Sequence, residues 1–378
     1  MSSASMDERY VAAAIRYARR HMGLTGTNPS VATLIVQHTQ AVSVIVGRGV
    51  TALGGRPHAE RIALDEAGQA ARGATAYVTL EPCAHHGVTP PCAQALIDAG
   101  VRRVVTAYVD PDARVDGEGH AMLRRAGIEV REGVCSAAAA QDLAGYLTRK
   151  RLARPHVHLK LAVSADGRLG CEGQEVAITG EESRAQVHVL RAQTDAILVG
   201  AGTLRADDPS LTCRLDGMEH RSPLRVILGG RSQLPLDAKV FMTARDVPTL
   251  LVPGVPLAAA MRAKLNSMGV EILGSEPVDG RSPWPELLDD LGARGLSCLF
   301  VEGGAAVAQS LLSSGLVDGI TLLQGTKRLG ADAILSPLTV ADLKADSQWQ
   351  LRDVRHFGPD ICHTFERPRV FEPKQENN

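Results

Sequence analysis

Aromatic side chains supply only 3% of the 378 residues: five tyrosines, five phenylalanines and two tryptophans. That scarcity, with a formal net charge of -1 and no block of like charge, argues against a surface built to stack bases or track a phosphate backbone. Nothing electrostatic predicts a nucleic-acid or membrane partner. No apolar run reaches the roughly 18 residues a bilayer span requires. The opening Met1 to Arg9 lacks a basic stretch followed by an apolar core. Seven cysteines is an odd number, and Cys135, Cys171, Cys213, Cys298 and Cys362 show no pairing rhythm. A disulfide framework is therefore not expected, and a reducing, cytoplasmic setting is. No Gly-x-Gly-x-x-Gly follows a strand, which speaks against an ordinary Rossmann domain. What is present is apolar material: 44% hydrophobic content at this length predicts two soluble domains, each burying its own core.

The chemistry concentrates between His58 and Cys92: His58-Ala59-Glu60, then Glu81-Pro82-Cys83, then Pro90-Pro91-Cys92. One imidazole and two thiols suit a tetrahedral zinc that keeps its fourth position open to water. Such a zinc polarises its water toward hydroxide, and a carboxyl that is not a ligand can carry the proton to a departing amine. His-x-Glu followed by Pro-Cys is the pattern of zinc deaminases. Glu60 is thus the candidate catalytic residue, and His58, Cys83 and Cys92 are the candidate metal ligands. The competing reading is a closed zinc knuckle or two buried cysteines. A knuckle needs a fourth nitrogen or sulfur, and only His85 and His86 lie near, both inside the loop between the thiols.

Local patterns place these residues. Residues 7 to 22 have helical apolar spacing, and strands are expected at 31–36, 41–46, 76–80, 101–109 and 128–132. Helices are expected from Ala59 to Ala67, from Pro91 to Ile97 and from His120 to Ala126, so two helix N-termini face the thiols. Alternating strands and helices imply a sheet covered on both faces, with ligands at the carboxyl ends of its strands. Gln141 to Lys150 reads as a connecting helix, and the basic run Arg149 to Pro155 as a solvated linker.

From His156 a second α/β alternation begins. Strands are expected at 157–163, 196–200, 225–228, 249–252, 270–273, 298–302 and 319–323, and helices at 257–268, 284–293 and 305–314. Another helix opens at Thr179, which is spaced from Glu182 as a capping box. The junction Val301-Glu302-Gly303-Gly304 can hold a dinucleotide phosphate on backbone amides, or can simply be a tight turn.

The loop Glu81-Pro82-Cys83-x-His85-x-Gly87-x-Thr89-Pro90-Pro91-Cys92 resembles the deaminase half of the bifunctional riboflavin-biosynthesis deaminase–reductases. Leu159 to Gly167, Leu190-Arg191-Ala192, Gly202 to Arg214 and Val301 to Gly304 resemble the reductase half. The resemblance covers nearly the whole chain in one order. It implies a cytidine-deaminase-like three-layer αβα domain over 1–150, a dihydrofolate-reductase-like α/β domain over 151–371, and a polar tail at 372–378. It implies one Zn2+ in the first domain and NADPH in the second, a small phosphorylated pyrimidine as substrate, and self-association as a homo-oligomer, a dimer or a tetramer.

Carried over position by position, the resemblance gives Asn28, His85 and Asp110 to the deaminase substrate, Asn28 also being readable as a turn residue before Pro29. It gives Arg191, Leu211, Arg214 and Glu302 to the reductase substrate. NADPH would meet Ala162, Thr203, Asp207, Gly304, Ala305 and Ala306 and the helix they open. Lys160 is a possible reductase catalytic residue and, with Asp207, a candidate in ring opening; a snorkelling strand lysine and a turn aspartate are the bland alternatives. Three departures stand out: Val88 where the family commonly has Lys or Arg, Asp112 where it commonly has Asn, and Glu175-Val176-Ala177 in place of Ser-x-Trp. The expected activity is hydrolytic deamination of 2,5-diamino-6-(5-phosphoribosylamino)pyrimidin-4(3H)-one, then NADPH-dependent reduction of the ribosyl group to ribityl. A deaminase with an impaired reductase-like domain is the alternative.

Overall fold

The computed structural model describes residues 3–39, 42–87, 90–172, 176–230, 234–274 and 284–368; Val88, Glu175 and the tail 372–378 lie outside them. The chain divides into two compact units between Leu152 and Ala153.

The first unit runs α1 (Ser3–Ala18), β1 (Ala32–His38), β2 (Ser43–Val50), α2 (Ala59–Ala67), β3 (Thr75–Val78), α3 (Cys92–Asp98), β4 (Arg103–Thr106), α4 (Glu118–Arg125), β5 (Glu129–Arg131), α5 (Ser136–Asp142) and α6 (Ala144–Leu152). Its sheet has the order β2-β1-β3-β4-β5, with β3, β4 and β5 parallel and β1 antiparallel to both neighbours. β3 is buried along its whole length, as a central strand covered on both faces must be. α3 packs between α2 and α4, and α1 packs on α5, giving the helical layers of the expected three-layer domain.

This topology decides where the chemistry lies. β1 runs against β3 with Thr33 opposite Val78, and β2 runs against β1 with Val50 opposite Ala32. The start of β1, the end of β2 and the ends of β3 and β4 therefore share one edge of the sheet, and Asn28, His58, Cys83 and Asp110 follow from those ends. α2 is seated close on β2: a Cβ at Gly47 would stand 2.1 Å from the Ala63 carbonyl oxygen, and one at Gly49 would stand 2.0 Å from that of Ala59.

The second unit runs β6 (His156–Val163), β7 (Arg168–Gly170), α7 (Glu181–Ala192), β8 (Ala196–Gly200), α8 (Ala201–Asp207), β9 (Leu224–Leu228), α9 (Lys239–Met242), β10 (Thr249–Val252), α10 (Ala259–Ser267), β11 (Val270–Ile272), α11 (Trp284–Ala293), β12 (Cys298–Val301), α12 (Ala305–Ser314), β13 (Gly319–Gln324), β14 (Ile334–Leu335), α13 (Val340–Ala345), β15 (Gln350–Phe357) and β16 (Asp360–Glu366). Nine strands form one sheet in the order β11-β10-β9-β8-β12-β6-β13-β16-β15, parallel except for the antiparallel β13-β16-β15 end. Alternate residues serve two cores: Leu198, Val226, Leu250 and Leu299 pack with α11 and α12, while Ile197, Ile227, Leu251 and Phe300 pack with α7 and α10. Both faces of these central strands are buried, as period-2 side-chain alternation under two helical layers requires.

Three expectations change. The connecting helix is two helices, α5 and α6, broken at Leu143. The basic run is not a solvated linker, because α6 continues to Leu152 within the first unit. The capping box at Thr179 does not form: Gly180 is the N-cap of α7, and the Asp360 carboxylate takes the Gly180 N–H and the Ser183 hydroxyl, each at 2.7 Å. A tertiary carboxylate satisfies those donors better than the local side chain, and the hairpin that supplies it is not announced by the sequence pattern.

Candidate zinc and substrate sites

His58 is the N-cap of α2, and its Nδ1 lies 3.4 Å from Cys92 Sγ and 3.8 Å from Cys83 Sγ. The three ligand atoms all fall within 4.8 Å of one another. Zinc bonds of about 2.3 Å to sulfur and about 2.0 Å to nitrogen, at tetrahedral angles, put S and N roughly 3.6 Å apart. The spacing fits the ion. The donor chemistry fits it too: Cys92, whose N–H donates to Cys83 Sγ at 3.3 Å, holds the Cys83 thiol low, with His58 adding to the effect. Cys83 and burial in turn push Cys92 up. Two sulfurs this close cannot both be anionic without a cation between them.

Glu60 lies in the first turn of α2 and is buried. Burial and the neighbouring Cys83 hold its carboxyl well above the ordinary range, against the pull of His58. Asn28, His58, Glu60, Cys83, His85 and Asp110 line one cavity of about 460 Å3, with Cys92 buried behind it. Asn28 sits in a turn, its N–H bonded to the Thr25 carbonyl and its side-chain amide donating to the Gly55 carbonyl at 3.2 Å, and it lines the cavity from there. His85 presents a buried Nδ1 with no hydrogen-bond partner among the described residues.

Asp110 is fixed from two sides. The Tyr146 hydroxyl donates to both of its carboxylate oxygens, at 2.8 and 3.1 Å, and the Asp112 N–H donates to one, at 2.9 Å. The loop carrying it is pinned by Glu81, whose carboxylate accepts the N–H groups of Asp110, Gly117, Gly119 and His120 at 2.9 to 3.2 Å.

Sequence reasoning missed the cationic part of this cavity. Arg149 and Lys150 of α6 line it, with Arg56 and Arg114. The available signal was the helical spacing of Tyr146 and Lys150, four residues apart on one face.

In the second unit, Arg191 of α7 donates to Glu302 through Nε at 2.6 Å and Nη2 at 3.1 Å, and to the Thr212 carbonyl through Nη1 at 3.1 Å. Lys160 Nζ is 3.8 Å from the same Glu302 carboxylate. Burial works to raise Glu302, but Arg191 and Lys160 outweigh it and hold the group ionised; burial lowers Lys160. Leu211 is buried with φ of 56°, and Arg214 is exposed, its N–H reaching His188 Nδ1 at 3.3 Å. Ala162, Thr203 and Gly304 lie at the carboxyl ends of β6, β8 and β12, which are adjacent in the sheet. The Gly304 N–H donates to Thr203 Oγ1 at 3.2 Å, and Ala305 and Ala306 open α12. A Cβ at Gly303 would stand 2.6 Å from Val307, so this turn accepts only a bare backbone. Asp207 closes α8 at the surface.

Residues 4–108 match the family described as the cytidine and deoxycytidylate deaminase zinc-binding region, and residues 155–363 match the RibD C-terminal domain. The riboflavin biosynthesis protein RibD of Escherichia coli (strain K12) is 37% identical over 386 residues, covering 94% of this chain and 98% of that protein. The chain belongs to the RibD family. RibD from Aquifex aeolicus (strain VF5) is 36% identical over 96% of this chain and 99% of its own length. The structure of Acinetobacter baumannii RibD (form 1) superposes with a TM-score of 0.83 at 34% identity, over 97% of this chain and 99% of that one. A diaminohydroxyphosphoribosylaminopyrimidine deaminase/5-amino-6-(5-phosphoribosylamino)uracil reductase from Thermotoga maritima superposes with a TM-score of 0.84 at 30% identity, over 97% and 100%. As a RibD chain, this is a bifunctional deaminase and reductase of riboflavin biosynthesis, a hydrolase and an oxidoreductase in one polypeptide. No helix among the described residues is long and apolar enough to cross a membrane.

Proposed function

We propose that the first unit deaminates the phosphoribosylamino-pyrimidine named above at a single zinc held by His58, Cys83 and Cys92, and that the second reduces the product with NADPH. The observation that carries this reading is the one-nitrogen, two-sulfur cluster with the buried carboxyl of Glu60 beside it, opening on a cavity of about 460 Å3. Bound there, zinc would lower the pKa of a water molecule and supply the nucleophile. Glu60 takes the proton of that water and passes it to the leaving amine, a task suited to a carboxyl raised by burial. Water adds to the ring carbon, the carbon–nitrogen bond breaks and ammonia leaves. Asn28 and Asp110 orient the ring and ribose, and the buried Nδ1 of His85 meets a polar substrate group.

In the second unit NADPH would supply a hydride to the opened ribosyl carbon. The glycine turn and α12 cradle its phosphates, with Ala162, Thr203 and Asp207 beside them. Glu302, held ionised by Arg191 and Lys160, accepts from pyrimidine amino groups; Leu211 shapes that wall, and the exposed Arg214 meets the substrate phosphate. Lys160 is the group positioned to give a proton during ring opening. Self-association and a cytoplasmic setting belong to the same reading.

The test is a paired assay of ammonia release and NADPH oxidation on the purified chain. A chelator should abolish the first and spare the second when deaminated substrate is supplied. The second reading, an impaired reductase, draws on Val176 and Ala177, which offer no flat aromatic wall for a cofactor. Titration with NADPH separates the two.

A further inference from the structure

The deaminase cavity contains a charge arrangement that proton transfer at Glu60 does not use. Asp112, only 8% exposed, accepts Lys150 Nζ on Oδ2 at 2.6 Å. It also accepts Arg114 through Nη2 on Oδ2 at 2.7 Å, and through Nε and the backbone N–H on Oδ1 at 3.0 and 3.1 Å. Two cations therefore share one carboxylate, and the triad carries a net positive charge. Arg114 comes from the loop after β4, while Lys150 comes from the last turn of α6 with its ammonium 5.6 Å from the Tyr146 ring centroid. Arg114 first, then Lys150, hold Asp112 far below the ordinary carboxylate range against burial, so the carboxylate stays charged. The two cations project farther than the group that binds them: the Arg114 side chain is 62% exposed and that of Lys150 is 25%, against 9% for Asp112. All three line the cavity, and the cations are its more accessible groups.

We propose that Lys150 and Arg114, bracketed by Asp112, form the anion subsite of this cavity and take the phosphate monoester of the pyrimidine substrate. The proposal rests on the deaminase reading of the site. A phosphate dianion suits an arginine fork beside a lysine point charge. Asp112 holds both cations in place before the ligand arrives, which lowers the ordering cost of binding. The basic residue that the family commonly has at position 88 is then unnecessary, since the loop and helix on this side supply the charge.

Lys150→Met and Arg114→Gln, made in the full chain, separate the possibilities; Arg114 is exposed enough that its loss leaves the fold intact. Ammonia release is measured with the phosphorylated pyrimidine and with its dephosphorylated riboside, and ribose 5-phosphate is titrated calorimetrically. Each variant should raise the KM for the phosphorylated substrate roughly tenfold, leave that for the riboside within about twofold, and weaken one ribose 5-phosphate site by a similar factor. Equal effects on both substrates, or a titration unchanged from the wild type, would overturn the subsite and point to Arg56 or Arg149 instead. Failure of the wild type to release ammonia from either pyrimidine would sink the deaminase reading, while the ribose 5-phosphate titration would still decide the subsite.

Discussion

Tyr146 and Asp110 are joined by a hydroxyl that donates to both carboxylate oxygens, at 2.8 and 3.1 Å, across the floor of the cavity. Burial pushes Asp110 up to about 6, while the Asp112 N–H and Tyr146 restrain the rise. A carboxyl raised in the folded state binds its proton more tightly there, so its contribution to stability falls as pH rises from the ordinary carboxylate range to about 6. Tyr146→Phe removes one stabiliser of the charged form and moves Asp110 higher still. The acid limb of kcat/KM for ammonia release should shift to higher pH in this variant, and a superimposable profile would remove Asp110 from the substrate site.

Glu60→Ala separates proton transfer from metal binding. The carboxyl is not among the three candidate ligands, so zinc content should match the wild type while ammonia release falls by about a hundredfold or more. Retained deamination would reassign the acid and base.

Gly49 tests whether the seat of α2 sets the metal site. A methyl at this position would meet the Ala59 carbonyl at 2.0 Å, and backbone must move to admit it. Gly49→Ala should cost about 2 kcal/mol or more and lower zinc occupancy together with stability, because His58 and Glu60 ride on the displaced helix. Denaturant titration and metal analysis read both.

The two reductase arginines should behave differently. Arg191→Ala strips Glu302 of its bidentate partner inside the fold and should cost about 3 kcal/mol as well as raising the substrate KM. Arg214→Ala, at an exposed position, should raise KM with stability unchanged. NADPH affinity should move little in either. Unchanged kinetics for both would take them out of the substrate site.

The sequence was most legible where local rules act alone. α2, α11, α12, β8 and β10 fall where periodicity and glycine stops put them, and the convergence of His58, Cys83 and Cys92 to within 4.8 Å could be anticipated because ligand type and spacing are themselves the chemistry. Legibility failed where distant groups decide. Asp360 displaced the capping box at Thr179 from 181 residues along the chain. β15 is exposed over nearly its whole length, so it carries no alternation to read. Lys150 looked like a solvated charge because its partner Asp112 lies in another element, and only the fold brings them to 2.6 Å.

X-ray absorption at the zinc edge of the purified chain tests the central claim most directly. One zinc with two sulfur neighbours at about 2.3 Å, one imidazole nitrogen and one exchangeable oxygen is the predicted result. A fourth protein nitrogen or sulfur in the coordination shell would contradict it and make the site a closed structural knuckle.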